Sequence, residues 1–358
     1  MRVKLGDVCE RGSSNIRQSD IEGKTGDYPI FGAAGYIGNV DFFHQEKPYV
    51  AVVKDGAGIG RTTLLPAKSS IIGTMQYLLP KENVLPEYLC YVVRYMHLEK
   101  YFSGATIPHI YFRDYKNEEF NLDDLGRQAE IIGILGRVER LIEYRKKELQ
   151  QLDNLIKARF VELMEKSDLG GETTIESITK RVKVGFVGTC EKYYTDESGI
   201  PMLRTGNITE KGIDLSDLKY VTAEFHNKNQ KSQIHAGDLL IARHGSNGQA
   251  NVYFGPDAQC LNAVVIVPNQ KIASSLFLAG LINSPAVKRQ IERTLVGSTQ
   301  HVVNTKSIAG LSVRIPDMDV QKEYESFVMQ VDKSKVVIQK SLDETQFLFA
   351  SLMQEYFG

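Results

Sequence analysis

Two stretches of the chain carry the hydrophobic spacing of long α-helices. In residues 127–165, taking one position every three or four residues gives a stripe in which seven of nine side chains are apolar. The same stripe moved on by 193 residues again holds seven apolar side chains of nine. No proline occurs between Pro108 and Pro201 or after Pro316, so neither stretch contains an internal helix breaker. The spacing predicts two long helices with a coiled-coil seam.

The two stripes complement each other. Arg145 and Arg159 interrupt the first stripe where the second supplies Ile338 and Leu352. Pairing of the two helices therefore buries both apolar faces, and each helix is on the order of 57 Å long at about 1.5 Å per residue. Two ordinary helices of a single core are the alternative, but helices of globular proteins usually stop well short of this length.

The helices are part of a longer repeat. Residues 104–164 map onto residues 297–357 in one register, and Gln128, for example, recurs as Gln321. Near the N-terminus the step is 170 instead of 193, so the second half holds about twenty extra residues in its loops. We expect a domain at residues 1–126, a helix at 127–166, a second domain at 167–318 and a second helix at 319–358.

Both domains show short strand-like runs separated by glycine and proline turns, and the predicted fold class is α/β or α+β. The runs with strand character are residues 49–53, 71–79, 239–242 and 263–267. A helix-like stretch follows in each half, at residues 87–101 and 275–295.

The local distribution of charge says more about possible binding partners than the net charge does. The chain has 43 basic and 44 acidic residues and a net charge of −1, which argues against wrapping DNA by bulk charge. Between residues 280 and 315, however, the chain contains five basic residues and a single acidic residue, Glu292. Such a cluster is either a solvated face or a phosphate-contacting edge.

Few residues suggest catalysis. The four cysteines lie far apart without a Cys-x-x-Cys pair, which favours reduced, buried thiols and gives no metal site. The chain has no Gly-x-x-x-x-Gly-Lys-Ser/Thr loop, no His-Glu-x-x-His and no Asn/Asp-Pro-Pro-aromatic motif, and residues 56–60 fit a tight turn better than a dinucleotide loop. No apolar run reaches bilayer length and the N-terminus lacks a signal-peptide core, so we expect a cytoplasmic protein without a catalytic residue or a cofactor of its own.

Several loops combine basic and amide side chains, the types that read guanine and adenine edges in the major groove. Each of these loops could instead be a solvated hairpin tip, and a histidine after Gly-x-Thr could simply cap its own turn. The candidate base readers are Lys54, Arg61 and His109 in the first half and Arg243, Asn247 and Gln300 in the second. Gln249 and His301 lie in the same polar loops, and Arg204 lies in another basic-polar turn at residues 202–207. The candidate phosphate contacts are Arg113, Lys288, Arg289 and Lys306.

Over essentially its whole length the chain resembles the specificity subunit of type I restriction–modification systems. The first half carries Tyr28-Pro29-Ile30-Phe31-Gly32, residues 35–38 and the glycine loop 56–60. The second half carries residues 201–208, 237–240 and 297–299, then Ile315-Pro316 leading to Gln321. One departure is Leu122-Asp123-Asp124-Leu125, which replaces the proline-containing junction before Gln128.

The resemblance implies two tandem target-recognition domains, each reading one part of a split, asymmetric DNA sequence, and two antiparallel helices that act as the spacer. It also implies that this subunit is not an enzyme. Methylation with S-adenosylmethionine belongs to modification subunits, normally two, and cleavage to a restriction subunit that uses ATP and Mg²⁺. The alternative is a non-catalytic coiled-coil adaptor that binds proteins instead of DNA. A self-sufficient methyltransferase or nuclease is disfavoured by the missing motifs.

Overall fold

The computed structural model of the chain describes residues 1–104, 108–209, 212–244, 248–295 and 302–358. The chain folds into two compact units. Unit 1 comprises Met1–Lys147 and Gln339–Gly358, and unit 2 comprises Glu148–Ile338. The two long helices of the chain each contribute one part to each unit.

Unit 1 begins with an α/β domain and ends with helical segments. Its strands and helices are β1 (Arg2–Lys4), α1 (Leu5–Val8), β2 (Cys9–Ser13), β3 (Tyr28–Gly32), β4 (Gly35–Val40), β5 (Tyr49–Val53), β6 (Thr62–Leu65), β7 (Ser70–Ile71), β8 (Met75–Pro80), α2 (Pro86–Tyr95), α3 (Phe112–Tyr115), β9 (Glu119–Asn121) and the first part of α4 (Leu125–Lys166). The last part of the C-terminal helix completes the unit.

The centre of unit 1 is an antiparallel sheet in the order β2-β8-β5-β6. All five residues of β5 are buried, because successive side chains of a strand point to opposite faces and both faces are covered here. Val50 and Val52 pack in the cluster that contains Leu89 of α2, while Tyr49 and Ala51 pack on the other side. A second sheet, β4-β3-β7, contains the parallel pair β3–β7.

Unit 2 repeats this plan with more elements. After the second part of α4 come β10 (Thr173–Thr174), β11 (Thr179–Val184), β12 (Tyr194–Thr195), β13 (Ile200–Leu203), β14 (Ile208–Thr209), β15 (Gly212–Ile213), β16 (Lys219–Val221), α5 (Ala223–Lys228), β17 (Gln233–Ile234), β18 (Leu239–Ala242), β19 (Ala250–Val252), β20 (Ala258–Cys260), β21 (Ala263–Pro268), α6 (Ser275–Asn283), α7 (Pro285–Leu295), α8 (Thr305–Ala309), β22 (Ser312–Val313) and the first part of α9 (Met318–Phe357).

The sheets of unit 2 correspond to those of unit 1. The antiparallel sheet β11-β21-β18-β19 matches β2-β8-β5-β6 strand for strand, and the parallel pair β13–β20 matches β3–β7. Most of the additional elements lie between β13 and β18, where 35 residues (204–238) replace the 16 residues (33–48) between β3 and β5, and the additional strand β12 lies before β13. The predicted duplication and the predicted α/β (α+β) fold class are both confirmed.

Three predicted runs are shorter than the periodicity indicated. The stretch 275–295 is two helices, because Ser284 is extended and Pro285 has no N–H to continue α6. The stretch 87–101 ends as an α-helix at Tyr95, since His97 has a left-handed φ of 50°. The strand run 71–79 is interrupted by a turn, in which the Met75 N–H donates to the Ile72 carbonyl at 3.0 Å.

A buried glutamine fastens each long helix to its own domain. Gln128, with 0% of its surface exposed, accepts from the Leu85 N–H at 2.8 Å and donates to the Asn83 and Asp123 carbonyls at 3.0 and 2.8 Å. Gln321, 1% exposed, makes the same three bonds at 3.0 Å, accepting from the Ser274 N–H and donating to two carbonyls. The glutamine that recurs at the repeat step therefore has the same structural role in both units: it clamps the long helix to the domain.

The two helices run antiparallel within each unit. In unit 2, Phe160 of α4 meets Tyr324 of α9 with ring centroids 5.2 Å apart. In unit 1, Ile131 of α4 and Met353 of α9 share one buried cluster. Ile131 recurs as Tyr324, and Phe160 recurs as Met353, at the step of 193. Equivalent positions of α4 and α9 are therefore buried in the core of each unit, with the two helices exchanged.

Replacement of Gln321 by alanine leaves the buried Ser274 N–H, the buried Pro316 carbonyl and the part-buried Ile272 carbonyl without this partner. We expect the Gln321→Ala substitution to lower the free energy of unfolding by about 2–4 kcal/mol. Gln330 lies on the same helix but is exposed, and Gln330→Ala should change stability by less than about 0.5 kcal/mol. Denaturant unfolding of both variants measures the difference, and equal losses would contradict the clamp.

Candidate nucleic-acid interface

In unit 1, two loops that are distant in sequence meet at one junction. The loop after β5 and the loop before α3 are joined by backbone hydrogen bonds from Gly56 N–H to the Pro108 carbonyl and from Ile110 N–H to the Lys54 carbonyl, both 3.0 Å. Two predicted base readers, Lys54 and His109, are thereby brought to the same place. We call residues 54–56 and 108–110 the unit 1 junction.

An acidic residue that the sequence analysis missed orients the histidine. Nδ1 of His109 lies 2.6 Å from Oδ1 of Asp55, and Nζ of Lys54 lies 3.7 Å from the other carboxylate oxygen. Because an ionised carboxylate only accepts hydrogen bonds, Nδ1 carries the proton. This leaves Nε2 of His109 as the ring atom available to an external group.

The basic side chains beside this junction differ in their surroundings. Nη1 of Arg61 donates to the Ala33 carbonyl at 2.9 Å, so this guanidinium also fixes its loop. Arg113 is exposed and lies with Cζ 4.8 Å from the ring centre of Tyr111, whose own ring stacks on His109 at 6.3 Å. His109, Tyr111 and Arg113 therefore form a short row of planar groups at the surface of unit 1.

The glycines of residues 56–60 make the predicted tight turn. Gly56 and Gly60 have φ values of 93° and 81°, in the left-handed region that favours glycine. A Cβ atom at Gly60 would also lie 2.7 Å from the backbone nitrogen of Glu99. The loop can thus return to β6 only with glycine at this position.

Unit 2 contains the equivalent junction with different side chains. The Val303 N–H donates to the Arg243 carbonyl at 3.0 Å, as Ile110 does to Lys54, and Val303 follows Ile110 by the repeat step of 193. Nη1 of Arg243 donates to Oδ1 of Asn262 at 2.8 Å, and its Nε donates to the Val303 carbonyl at 3.4 Å. We call residues 243, 262 and 303 the unit 2 junction.

Asn262 is the second junction residue that the sequence analysis missed. It adopts a left-handed φ of 51° between β20 and β21, a conformation that asparagine tolerates better than most residues. Its carbonyl accepts from the Thr205 hydroxyl at 3.4 Å, which connects the turn at residues 204–207 to Arg243. Only the tertiary contact identifies it, since a lone asparagine in a turn is common.

The remaining predicted residues are spread over unit 2. The Arg204 guanidinium donates to the backbone carbonyl of Asp217 at 2.9 Å and to the Asp217 carboxylate at 2.8 Å. This contact closes the turn between the two residues. Gln249 and Lys288 line a cleft of about 1080 Å³ beside α4 and α6. Arg289 lies on α7, and Lys306 is exposed on α8. Asn247, Gln300 and His301 lie outside the described residues.

The cysteines of this chain are buried thiols. All four cysteines are free and buried, and burial raises the pKa of Cys9 and of Cys260 to about 12 and that of Cys90 to about 11. Among the described residues, no group of three or more His, Cys, Asp and Glu side chains is arranged to hold a metal ion. In that same part of the chain, no helix has the length and apolarity to span a membrane.

Comparison with known proteins identifies the family. Residues 1–154 and 177–345 match the family described as the type I restriction modification DNA specificity domain. The chain therefore belongs to this family, and the predicted resemblance is confirmed.

Individual relatives are distant. The chain is 20% identical over 321 residues to the type I restriction enzyme MjaVIII specificity subunit of Methanocaldococcus jannaschii, a match that covers 83% of this chain and 75% of the relative. It is 21% identical over 251 residues to the type I restriction enzyme EcoBI specificity subunit of Escherichia coli, covering 62% of this chain and 53% of the relative. The match thus spans about half the length of the second relative.

Solved structures share the fold. The crystal structure of a type I restriction-modification system S subunit from M. genitalium aligns with a TM-score of 0.63 at 14% identity, over 100% of this chain and 96% of that one. A chain from a study of complex assembly and conformational transition of the type I R-M system aligns with a TM-score of 0.55 at 13% identity, over 99% and 97%. Two tandem domains with two long helices are therefore a shared architecture.

Proposed function

We propose that this chain is the DNA-reading subunit of a type I restriction–modification complex and that each unit reads one half of a bipartite, asymmetric sequence. The observation that carries the proposal is the loop junction that occurs once in each unit. Its backbone hydrogen bond is the same in both, at 3.0 Å, from Ile110 to Lys54 and from Val303 to Arg243. One framework therefore presents two different sets of side chains, as two different half-sites require.

The two junctions offer different hydrogen-bonding groups. In unit 1, the Asp55 carboxylate accepts from Nδ1 of His109, which leaves Nε2 as the acceptor of the ring. In unit 2, Arg243 is held by Asn262 and Val303, and a guanidinium has five N–H donors, so donors remain for a guanine edge. Because both side chains are held in place by hydrogen bonds, little side-chain entropy is lost on binding a base.

The helices support a second role, the assembly of partner subunits. Each unit exposes an equivalent pair of apolar side chains on α4 and α9. The pairs are Tyr144 (64% exposed) with Leu348 (49%) in unit 1, and Val337 (69%) with Leu155 (47%) in unit 2. Tyr144 recurs as Val337 and Leu155 recurs as Leu348 at the step of 193. Two equivalent surfaces suit two copies of one partner, and we propose that these are two modification subunits.

The chemistry of the complex is then assigned to other chains. We propose that S-adenosylmethionine binds to the modification subunits, that ATP and Mg²⁺ bind to a restriction subunit, and that this chain is not an enzyme. Partner subunits would share the grip on DNA, which is consistent with a net charge of −1 here. A protein that acts on chromosomal DNA in this way works in the cytoplasm.

The main test begins with methylome sequencing of cells with and without the gene, which gives the split motif. In the reassembled complex, Arg243→Ala should weaken binding by about 1–3 kcal/mol and relax one position of one half-site. His109→Ala should relax a position in the other half-site. Fluorescence anisotropy with single-base variants of the duplex measures both effects. Lys306→Ala is the control for a phosphate contact and should weaken all sequences alike.

Two outcomes would contradict this assignment. If Arg243→Ala and His109→Ala relaxed the same half-site, the two units would not read separate parts. If the wild-type complex bound no duplex at all and the methylome did not change, a protein-binding coiled-coil adaptor would be the better description.

A length change in the helices tests the spacer. We expect that one added helical turn, about four residues, in α4 after Lys147 and in α9 after Ile338 changes the distance between the half-sites while leaving both half-site sequences the same. Methylome sequencing of cells carrying the variant reads both properties at once. The same insertion in α9 alone is the control and should impair binding, because the paired stripes lose their register. An unchanged spacer in the doubly extended protein would exclude the helices as the ruler.

Charge substitution on the exposed helix surfaces tests the docking of partners. Tyr144→Glu with Leu348→Glu should remove one modification subunit from the complex, and Leu155→Glu with Val337→Glu the other, because a carboxylate is costly to bury in an apolar interface. Native mass spectrometry counts the subunits. Gln330→Glu, an exposed change on α9, serves as the control and should retain both. Full assembly in all variants would place the contacts elsewhere.

A further inference from the structure

A pocket in unit 2 gathers three arginines outside the two junctions. It has a volume of about 460 Å³ and lies between α7 and β22. Arg289 and Arg293 are four residues apart on α7 and therefore share one helix face, and Arg314 directly follows β22. We call the space between Arg289, Arg293 and Arg314 the arginine pocket.

The walls of this pocket are fixed by hydrogen bonds between its two elements. The side-chain amide of Gln290 donates to the Ser312 carbonyl at 2.8 Å and accepts from the Ser312 N–H at 3.0 Å. The Ser312 hydroxyl in turn donates to the carboxylate of Glu172, which also lines the pocket. The helix that carries two of the arginines is thus held in register with the strand that precedes the third.

The charge of the pocket is not balanced. Three guanidinium groups line it against the single carboxylate of Glu172, which already accepts a hydrogen bond from Ser312. In the part of unit 2 that the structure describes, ion pairs involve other bases, such as Arg159 with Glu162, and none involves Arg289, Arg293 or Arg314. Positive charges placed together in this way repel one another unless an anion is bound.

At the corresponding place in unit 1, the basic side chains Arg2 and Lys100 are paired with carboxylates. There the strand pair β1–β9 replaces β10–β22, and Asn121 stands at the position of Arg314, one repeat step of 193 earlier. Arg2 of that pair binds Glu119 at 3.1 Å, and nearby Lys100 is paired with Glu118. Among the described residues, a group of three arginines without an ion-pair partner at this place is therefore a feature of unit 2, although the framework is common to both units.

We propose that the arginine pocket binds a phosphate group. Guanidinium forks match the oxygens of a phosphate in geometry and charge, and three of them with one carboxylate leave a positive local charge that a phosphate group offsets. The group is either a phosphodiester of the DNA backbone or free phosphate. The DNA source rests on the function proposed above, whereas phosphate binding itself does not.

The first measurement uses the full chain and inorganic phosphate alone. Thermal unfolding at constant ionic strength, with phosphate replacing chloride, should raise the melting temperature of the wild type in a saturable way. The variant Arg289→Gln/Arg293→Gln/Arg314→Gln should lose this rise. Without phosphate its melting temperature should equal or exceed that of the wild type, because charge repulsion is removed. Arg181→Gln, an exposed change on β11, should keep the rise.

The second measurement uses the complex with its cognate duplex. The slope of log K against log salt concentration changes by about 0.9 for each phosphate contact. A triple variant that lowers the slope by about one, together with the loss of stabilisation by phosphate, identifies the phosphodiester as the ligand. Loss of stabilisation with an unchanged slope identifies free phosphate. If the variant retains both the stabilisation and the slope, the proposal is overturned.

The two proposals can fail separately. Suppose that the wild-type complex binds no duplex but that phosphate still stabilises the chain through these arginines. The DNA-reading function would then be rejected, and the proposal for the pocket would stand. In the opposite case, the complex reads DNA normally, phosphate does not stabilise the chain, and the triple variant has an unchanged salt slope. The proposal for the pocket would then be rejected, and the DNA-reading function would stand.

Discussion

The scaffold depends on how each long helix is attached to the domain that precedes it. A side chain at the first turn of the helix makes this attachment, Gln128 in one unit and Gln321 in the other, each with three hydrogen bonds to backbone groups. Because both amides are almost completely buried, water cannot replace those bonds. The direction in which the helix leaves its domain is therefore fixed by a polar contact, and apolar packing of the helix pair follows from it.

Duplication explains why the two units are similar in framework and different at their surfaces. The contacts that must be equal, such as the meeting of α4 and α9 at Phe160 and Tyr324, use buried positions whose partners constrain them. The loops are not constrained in this way, so His109 and Asp55 occupy one junction while Arg243 and Asn262 occupy the other. The proposed reading of two unlike half-sites needs this combination of a common framework and separate loops.

Electrostatics diverge between the units as well. The chain as a whole has a net charge of −1, which conceals an ion-paired arginine at the strand pair β1–β9 of unit 1 and three arginines with a single carboxylate beside the corresponding pair in unit 2. Local arrangement, and not total charge, decides where an anion is stabilised, because screening limits such interactions to about 10 Å in ordinary salt. The proposed phosphate-binding pocket is therefore a property of unit 2 and not of the corresponding place in unit 1.

The sequence by itself determined the repeat, the two helices and the strand character of residues 49–53, because hydrophobic periodicity and proline placement are local properties. It also indicated candidate DNA-contacting loops, among them those that carry Lys54, His109 and Arg243. Only the tertiary structure decided what those side chains contact: Asp55 beside His109, Asn262 beside Arg243, and Asp217 closing on Arg204. These pairs join residues far apart in the chain or in irregular turns, where no periodic pattern exists to reveal which groups will meet.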